Sequence, residues 1–409
     1  MYTFVHLFYI MSKKLIIISS IALLIMAGLG CEKILPKMPS NDEILDGPVE
    51  GLTPEQNNIF LRGDVAFNDE IFTPETGLGP LFVATSCGTC HAGDGKGHPF
   101  TTLTRFGQTD STGNHYLQMG GPQLQHRAIP GYQPEQIPPG TPYSNFTPPA
   151  NTGLGLLEAV PDATLLALSD ENDTNGDGIS GRPNWIIVPS YASITGDAVE
   201  KNGKYIGRFG KKAAVYNLLQ QTVGAYNQDM GITSTYESVD TYTGQIMDPE
   251  VTNQRVSDVV FYLQTLKAPV QRNQNNTEVQ QGKQIFINTG CAKCHTPQLQ
   301  TGQTSIVALS NKIIFPYTDL LLHDLGDDLN DGYTEGSAKT AEWRTPALWG
   351  LGLSENSQGG QYFLMHDGRA GSIDEAVSLH GGEAQQIKMN YQQLAPEEKN
   401  KLIKFLESL

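Results

Sequence analysis

Four of the five cysteines fall in two C-x-x-C-H units, Cys87-Gly-Thr-Cys90-His91 and Cys291-Ala-Lys-Cys294-His295. In this spacing the two thiols are placed to add to the vinyl groups of a haem, and the adjoining imidazole to coordinate its iron. The histidine separates this reading from a redox dithiol, which needs only C-x-x-C. Zinc would need two more ligands at suitable spacing. The two units therefore predict two covalent haem c groups, with His91 and His295 as proximal ligands. A disulfide or a zinc site is the remaining alternative.

The next question is what lies across each iron. In Ser372-Ile-Asp-Glu-Ala-Val-Ser-Leu-His380-Gly-Gly-Glu383, Ser372 and Glu375 make a capping box and Gly381-Gly382 end the helix. Ile373, Ala376, Val377 and His380 share one helical face, which makes His380 the candidate sixth ligand of the second haem. Met365 is the rival, with packing as its favoured role. For the first haem, His98, His115, Met119 and His126 follow His91 at loop-like spacing, and none stands out. An open iron permits peroxide chemistry, whereas a six-coordinate one only passes electrons.

Glu158 follows Gly153-Leu-Gly-Leu156 and is the candidate catalytic acid, able to move a proton between the oxygens of bound peroxide. A surface or helix-start charge is the alternative. Trp343 and Trp349 flank Thr345-Pro346, and core packing is expected of them ahead of electron relay. Asp173, Asn175, Asp177 and Ile179 stand at positions 1, 3, 5 and 7 of an EF-type loop with Gly178 at 6. The loop predicts Ca²⁺, although position 12 is Asn184 and Asp170 would have to complete the site. A turn without metal is the alternative.

A degenerate internal repeat organises the elements that must position these residues. Phe82 and Phe286 each lie five residues before the first haem cysteine. Thr147-Pro148 leads to Gly153-Leu-Gly-Leu156 as Thr345-Pro346 leads to Gly350-Leu-Gly-Leu353. Val259–Leu266 and Leu402–Leu409 read as closing apolar helices, the first stopped by Pro269. Thr53-Pro54-Glu55-Gln56 reads as a capped helix start. The predicted fold is mainly α: two cytochrome c-like domains, the first with a loop-rich insertion. Gly153 to Leu266 spans 113 residues where Gly350 to Leu409 spans 59, so about 54 extra residues lie within 157–255. The divisions are a signal peptide at 1–30, a tether at 31–52, an N-terminal haem domain at 53–270 and a C-terminal one at 271–409. Gln271–Thr277 forms the polar linker.

Met11–Cys31 reads as an export signal, with Lys13 and Lys14 before the apolar run Leu15–Leu29 and with Gly28 and Gly30 before Cys31. A lone cysteine ending such a run resembles a lipoprotein processing site, its thiol acylated as a lipid anchor. A plain cleaved signal or an uncleaved anchor is the alternative. The expected location is the periplasm. Gly and Pro together are about 16% of the chain, too few for a low-complexity protein. The net charge of −16 becomes about −18 without the two leader lysines. Such a chain repels phosphate backbones, which excludes nucleic acid as a default partner and favours a basic electron donor.

The two haem motifs, Gly153–Asn184, Tyr317-Thr-Asp-Leu-Leu-Leu-His323-Asp, Thr345–Gly352 and the His366-Asp-Gly-Arg…His380-Gly-Gly-Glu383 run together resemble the di-haem oxidoreductases, peroxidase-like proteins also labelled thiol oxidoreductases. The resemblance covers most of residues 55–409 and extends to bacterial di-haem cytochrome c peroxidases and methylamine dehydrogenase maturation enzymes. It implies one haem as the peroxidatic centre and another feeding it. It also places the sixth ligand of the C-terminal haem at His380, where the relatives use Met or Tyr, and it favours calcium near the haems. The expected activity is electron transfer from the C-terminal haem to the N-terminal haem, which reduces peroxide or a similar small oxidant. The donor is a protein or is quinol-linked. The contrasting expectation is a non-enzymatic di-haem electron carrier. Oxidation of a thiol substrate rests on the family label alone, since no spare cysteine pair supports it.

Overall fold

A computed structural model describes residues 40, 43–110, 113–114 and 122–409. The leader and Cys31 lie outside the described residues. Contacts divide the chain into Met1–Ile44 and Leu45–Leu409. In the first unit Ser40 and Glu43 close a turn, with Glu43 N donating to Ser40 O and Ser40 N to Glu43 Oε2. Among the described residues the second unit holds far more helix than strand.

Helix α1 (Pro54–Asn68) starts as its residues dictate. Thr53 accepts from Gln56 N, Gln56 Oε1 accepts from Thr53 N, and proline takes the first turn. Helices α2 (Leu154–Glu158), α3 (Leu218–Gly224) and α4 (Asn253–Thr265) follow, α4 capped by Thr252. Asn276 caps α5 (Thr277–Thr289), which ends at Gly290 with φ +104°. Ser372 caps α6 (Ile373–Leu379), and α7 (Pro396–Ser408) closes the chain.

The repeat has a physical basis in two crossings. On α1, a β-carbon added at Gly63 would lie 2.2 Å from Asp258 O of α4; on α5, one at Gly282 would lie 2.0 Å from Lys401 O of α7. Only glycine allows these backbones to approach so closely. Phe67 stands four residues after Gly63 and Phe286 four after Gly282. Each is buried in the core of its half, with Tyr262 and Leu266 in the first and Tyr317 and Phe405 in the second. Burial of each such side chain contributes about 1.5–3 kcal/mol. Phe67, not Phe82, is thus the counterpart of Phe286. Phe82 belongs to a short strand whose partner is Arg127–Ala128.

Strands form only two-stranded ladders among the described residues. Two of them matter for the site: β1 (Leu103–Phe106) with β2 (Tyr143–Phe146), and β3 (Leu322–Asp324) with β4 (Glu342–Arg344), where His323 faces Trp343 in register. The 157–255 stretch is more structured than a loop. It holds the helix Asp162–Leu168, a hairpin of Asn184–Ile186 with Tyr205–Gly207, α3 and a π-helical turn, Ala225–Asp229. A buried Arg208–Asp162 ion pair fastens it internally, and Arg182 joins it to Glu342 of β4. The end of the 31–52 stretch is docked, since Val49 N donates to Thr265 O and Lys267 N to Gly47 O. The linker is held too, with Arg272 N on Ser408 O.

Candidate haem sites

The first motif forms a single helical turn, Cys87–Cys90, capped by Ser86, whose Oγ accepts from Thr89 N. His91 follows with its ring 5.9 Å from Phe67 and its Nδ1 2.9 Å from Pro149 O. The second motif repeats the arrangement: His295 lies 6.4 Å from Phe286, with Nδ1 3.0 Å from Tyr317 O. A ring nitrogen facing a carbonyl must donate, so each proton sits on Nδ1 and each Nε2 keeps its lone pair. Burial holds both rings neutral, with pKa lowered to about 4. The facing carbonyls oppose this shift, while Lys211 adds to it at His91 and His380 adds to it at His295.

His380 is the residue that ends α6. Its Nδ1 donates to Ala376 O at 2.7 Å, and it lies close enough to His295 to act on its charge. Among the described residues, Nε2 of His91, His295 and His380 makes no hydrogen bond. Three imidazoles with fixed tautomers and free Nε2 atoms suit an iron porphyrin. The four thiols are unpaired. Burial pushes those of Cys87, Cys90 and Cys291 up to about 12.

The remaining sequence candidates fall into different places. His98 caps the turn at Pro99, accepting from Phe100 N, and packs on Phe100 and Phe363. His126 is exposed. His115 and Met119 lie outside the described residues. Met365 packs against the buried clusters around Phe286 and Trp343. Trp349 packs over Gly153, and Trp343 is buried with Nε1 donating to Leu329 O. Glu158 was expected to handle protons, but both of its oxygens are committed, to Leu218 N and to Gln264 Nε2, each at 2.7 Å. It is a strut joining α2 to α3 and α4. In the acidic loop, Asp173 accepts from Gly178 N, Asn175 from Asp177 N and Asp177 from Ile179 N. Asp177 also pairs with Lys293 of the second haem motif at 3.0 Å, while Asp170 accepts from Thr174 and Asn175.

Three groups were given no role by the sequence reading. His323 is buried between Asp319, 2.8 Å from Nε2, and Glu383, 2.7 Å from Nδ1, with Cys294 Sγ at 3.5 Å. Glu383 also accepts from Ser180 and Asp324 N, which fixes the turn that follows His380. Asp229, on the π-helical turn, makes no side-chain hydrogen bond among the described residues. It acts on the charge of both Cys87 and Cys90, and burial raises its pKa to about 7 against the pull of Arg105. Lys96, Lys211 and Arg344 form no ion pair among the described residues, though they share one neighbourhood: Lys96 and Arg344 both act on Lys211. A π-turn or an unpaired cation has no period or motif to betray it in one sequence.

Residues 145–409 match the sequence profile of the family described as "Di-haem oxidoreductase, putative peroxidase". No protein of curated function matches the chain. Among solved structures, a hydrazine synthase of Kuenenia stuttgartiensis aligns at 13% identity and TM-score 0.37, over 92% of this chain and 98% of that one. The dihaem peroxidase BthA of Burkholderia thailandensis aligns at 16% identity and TM-score 0.41, over 88% and 87%. By the profile match, this chain belongs to the di-haem oxidoreductase family.

Proposed function

We infer that this protein is an exported, periplasmic c-type oxidoreductase of two cytochrome c-like halves, 53–270 and 271–409, anchored by a lipid on Cys31. When bound, the haems supply the redox chemistry, with electrons entering at the C-terminal haem and leaving from the N-terminal haem to peroxide or a similar small oxidant. The observation that carries this reading is the asymmetry of the ligands. At the second site, His380 with its free Nε2 acts on the charge of His295 and supports a second imidazole ligand there. The first has His91 alone among the described residues, with His98 turned to packing and His126 exposed.

The chain's own contribution is positional and protonic. Pro149 and Tyr317 carbonyls orient the two proximal imidazoles, and Ala376 orients His380. Asp229 takes the proton-handling role once expected of Glu158: among the described residues its carboxyl makes no hydrogen bond, it acts on the charge of both cysteines of the first motif, and its pKa lies near neutrality. Gln228 beside it accepts from Arg105, which is itself paired with Glu335. Electrons come from a protein or quinol-linked donor, and the acidity of the chain favours a basic protein. Calcium at Asp173, Asn175, Asp177 and Ile179 would compete with Lys293 for Asp177 and so report on the second motif.

Electron paramagnetic resonance of the holoprotein, fully oxidised and then half-reduced with calcium present, tests the reading. A high-spin ferric signal in either state is expected. Two low-spin haems in both states would leave the electron-carrier reading in its place.

A further inference from the structure

Holding a cation partly out of water without an anion is costly, so a group of half-buried cations that lack a partner marks the seat of an anion. Lys96 lies in the loop after His91, and its ammonium forms neither hydrogen bond nor ion pair among the described residues. Among the described residues Lys211 reaches only a neutral hydroxyl, Thr147 Oγ1, at 3.5 Å. The Arg344 guanidinium donates to two neutral carbonyls, Gly210 O at 2.9 Å and Thr345 O at 3.1 Å.

One carboxylate, Asp367, acts on both lysines. It is already committed, bound by Arg369 through Nε and Nη2 at 2.7 Å each. Burial, with the mutual repulsion of these cations, drives the pKa of Lys211 well down, and burial lowers Lys96 to about 8 and Arg344 to about 10. The location is specific. Thr147, which Lys211 reaches, stands two residues before Pro149, whose carbonyl holds His91, and Gly97 beside Lys96 donates to Pro148 O at 3.0 Å. Arg344 faces Leu322 in register, next to His323, which lies 3.5 Å from Cys294 Sγ of the second motif. The Arg344 amide donates to Lys211 O at 2.9 Å, which ties the two together.

We propose that Lys96, Lys211 and Arg344 seat haem propionate carboxylates between the two C-x-x-C-H sites. This rests on the di-haem reading above. The porphyrin carries two such carboxylates on the edge away from its vinyl groups, so a chain that fixes the vinyl edge through cysteines needs cations at the other edge. Pairing offsets the burial of both partners and places positive charge near the iron, which favours the reduced state.

The test is spectroelectrochemical titration of the holoprotein, with haem counted per chain by the pyridine haemochrome assay. Lys211→Met and Arg344→Met should each lower the midpoint potential of at least one haem. Lys211→Arg should keep it, as should Lys312→Met on the surface. Two haems per chain with unmoved potentials in both Met variants would overturn the proposal alone. A wild-type chain without haem would overturn the underlying reading and the proposal with it. If chloride or acetate shifts the wild-type potentials as far as the substitutions do, the seat belongs to a dissolved anion and the proposal fails. Should Lys211→Met not fold, Lys96→Met with the Lys211→Arg control decides by the same readout.

Discussion

Lys212 holds its ammonium 3.8 Å from the centre of the Trp343 ring. The His366 ring stacks on the same indole at 3.7 Å and 13°. Lys212 is fully buried, donates to the carbonyls of Lys339, Thr340 and Glu342, and has a pKa near 8, so it stays charged at neutral pH. A cation over the ring opposes removal of an electron from it. Trp343 is therefore a packing residue and a poor electron relay. Trp343→Phe should change inter-haem electron transfer by less than about threefold, or about 0.7 kcal/mol of barrier. It should cost about 2 kcal/mol of stability through the lost bond to Leu329 O and the lost volume. Stopped-flow reduction and thermal melts measure the two. A hundredfold slowing would revive the relay.

His380→Ala should leave the second iron without its outer imidazole and turn its resonance signal from low-spin to high-spin. His380→Met should keep the low-spin signal and raise the midpoint potential, because a thioether favours the reduced iron. If neither variant alters the spectrum, His380 is no ligand.

Asp229→Asn should lower peroxide turnover by about 10²–10⁴-fold, the usual range for a positioned acid or base. The wild-type pH–rate profile should show a limb near 7, where burial holds this carboxyl against the pull of Arg105, and the variant should lack it. Glu158→Gln should change turnover less than about tenfold while costing about 1–2 kcal/mol of stability. The reverse pattern would return the role to Glu158.

Glu383 ties pH to stability. Burial alone would raise its pKa, but hydrogen bonds from His323 and Ser180, with the His323 charge, bring it down to about 2 from the ordinary 4.5. A depressed folded-state value means that its contribution is complete above about pH 4.5 and is lost as pH falls toward 2. Glu383→Gln should melt lower at neutral pH and show a flatter melting temperature between those limits. An unchanged slope in calorimetry would mean that the pairing adds no stability.

Gly282→Ala should destabilise the chain by about 3 kcal/mol, since the new methyl meets the Lys401 carbonyl and backbone cannot step aside. Denaturant melts check this, with Gly176→Ala as an exposed comparison carrying only local turn strain.

Local rules made some elements legible. The Thr53–Gln56 capping box formed as read, and the repeated Gly-Leu-Gly-Leu proved to be a contact surface: Gly155 lies against Gln264 O and Gly352 against Glu407 O. Spacing singled out the two C-x-x-C-H units, and helical face singled out His380, the residue that ends α6. Phe82 misled because sequence distance to a cysteine is not spatial distance. Phe67 and Cys87 stand 20 positions apart in the first half, where Phe286 and Cys291 stand five apart in the second. Glu158 misled because a carboxylate does not announce which N–H groups it will meet. Asp229 and Lys211 depend on neighbours far away in the chain and carry no local signal.

The two helix crossings differ in the length of chain they enclose. Arg62 of α1 meets Asp258 of α4 across 196 residues, while Glu278 of α5 meets Lys404 of α7 across 126. Closing the longer loop costs only about 0.4 kcal/mol more, so the insertion is nearly free in equilibrium terms. Its cost is time. The first half must wait for a distant partner, and with such long-range contacts it is the slower half to close.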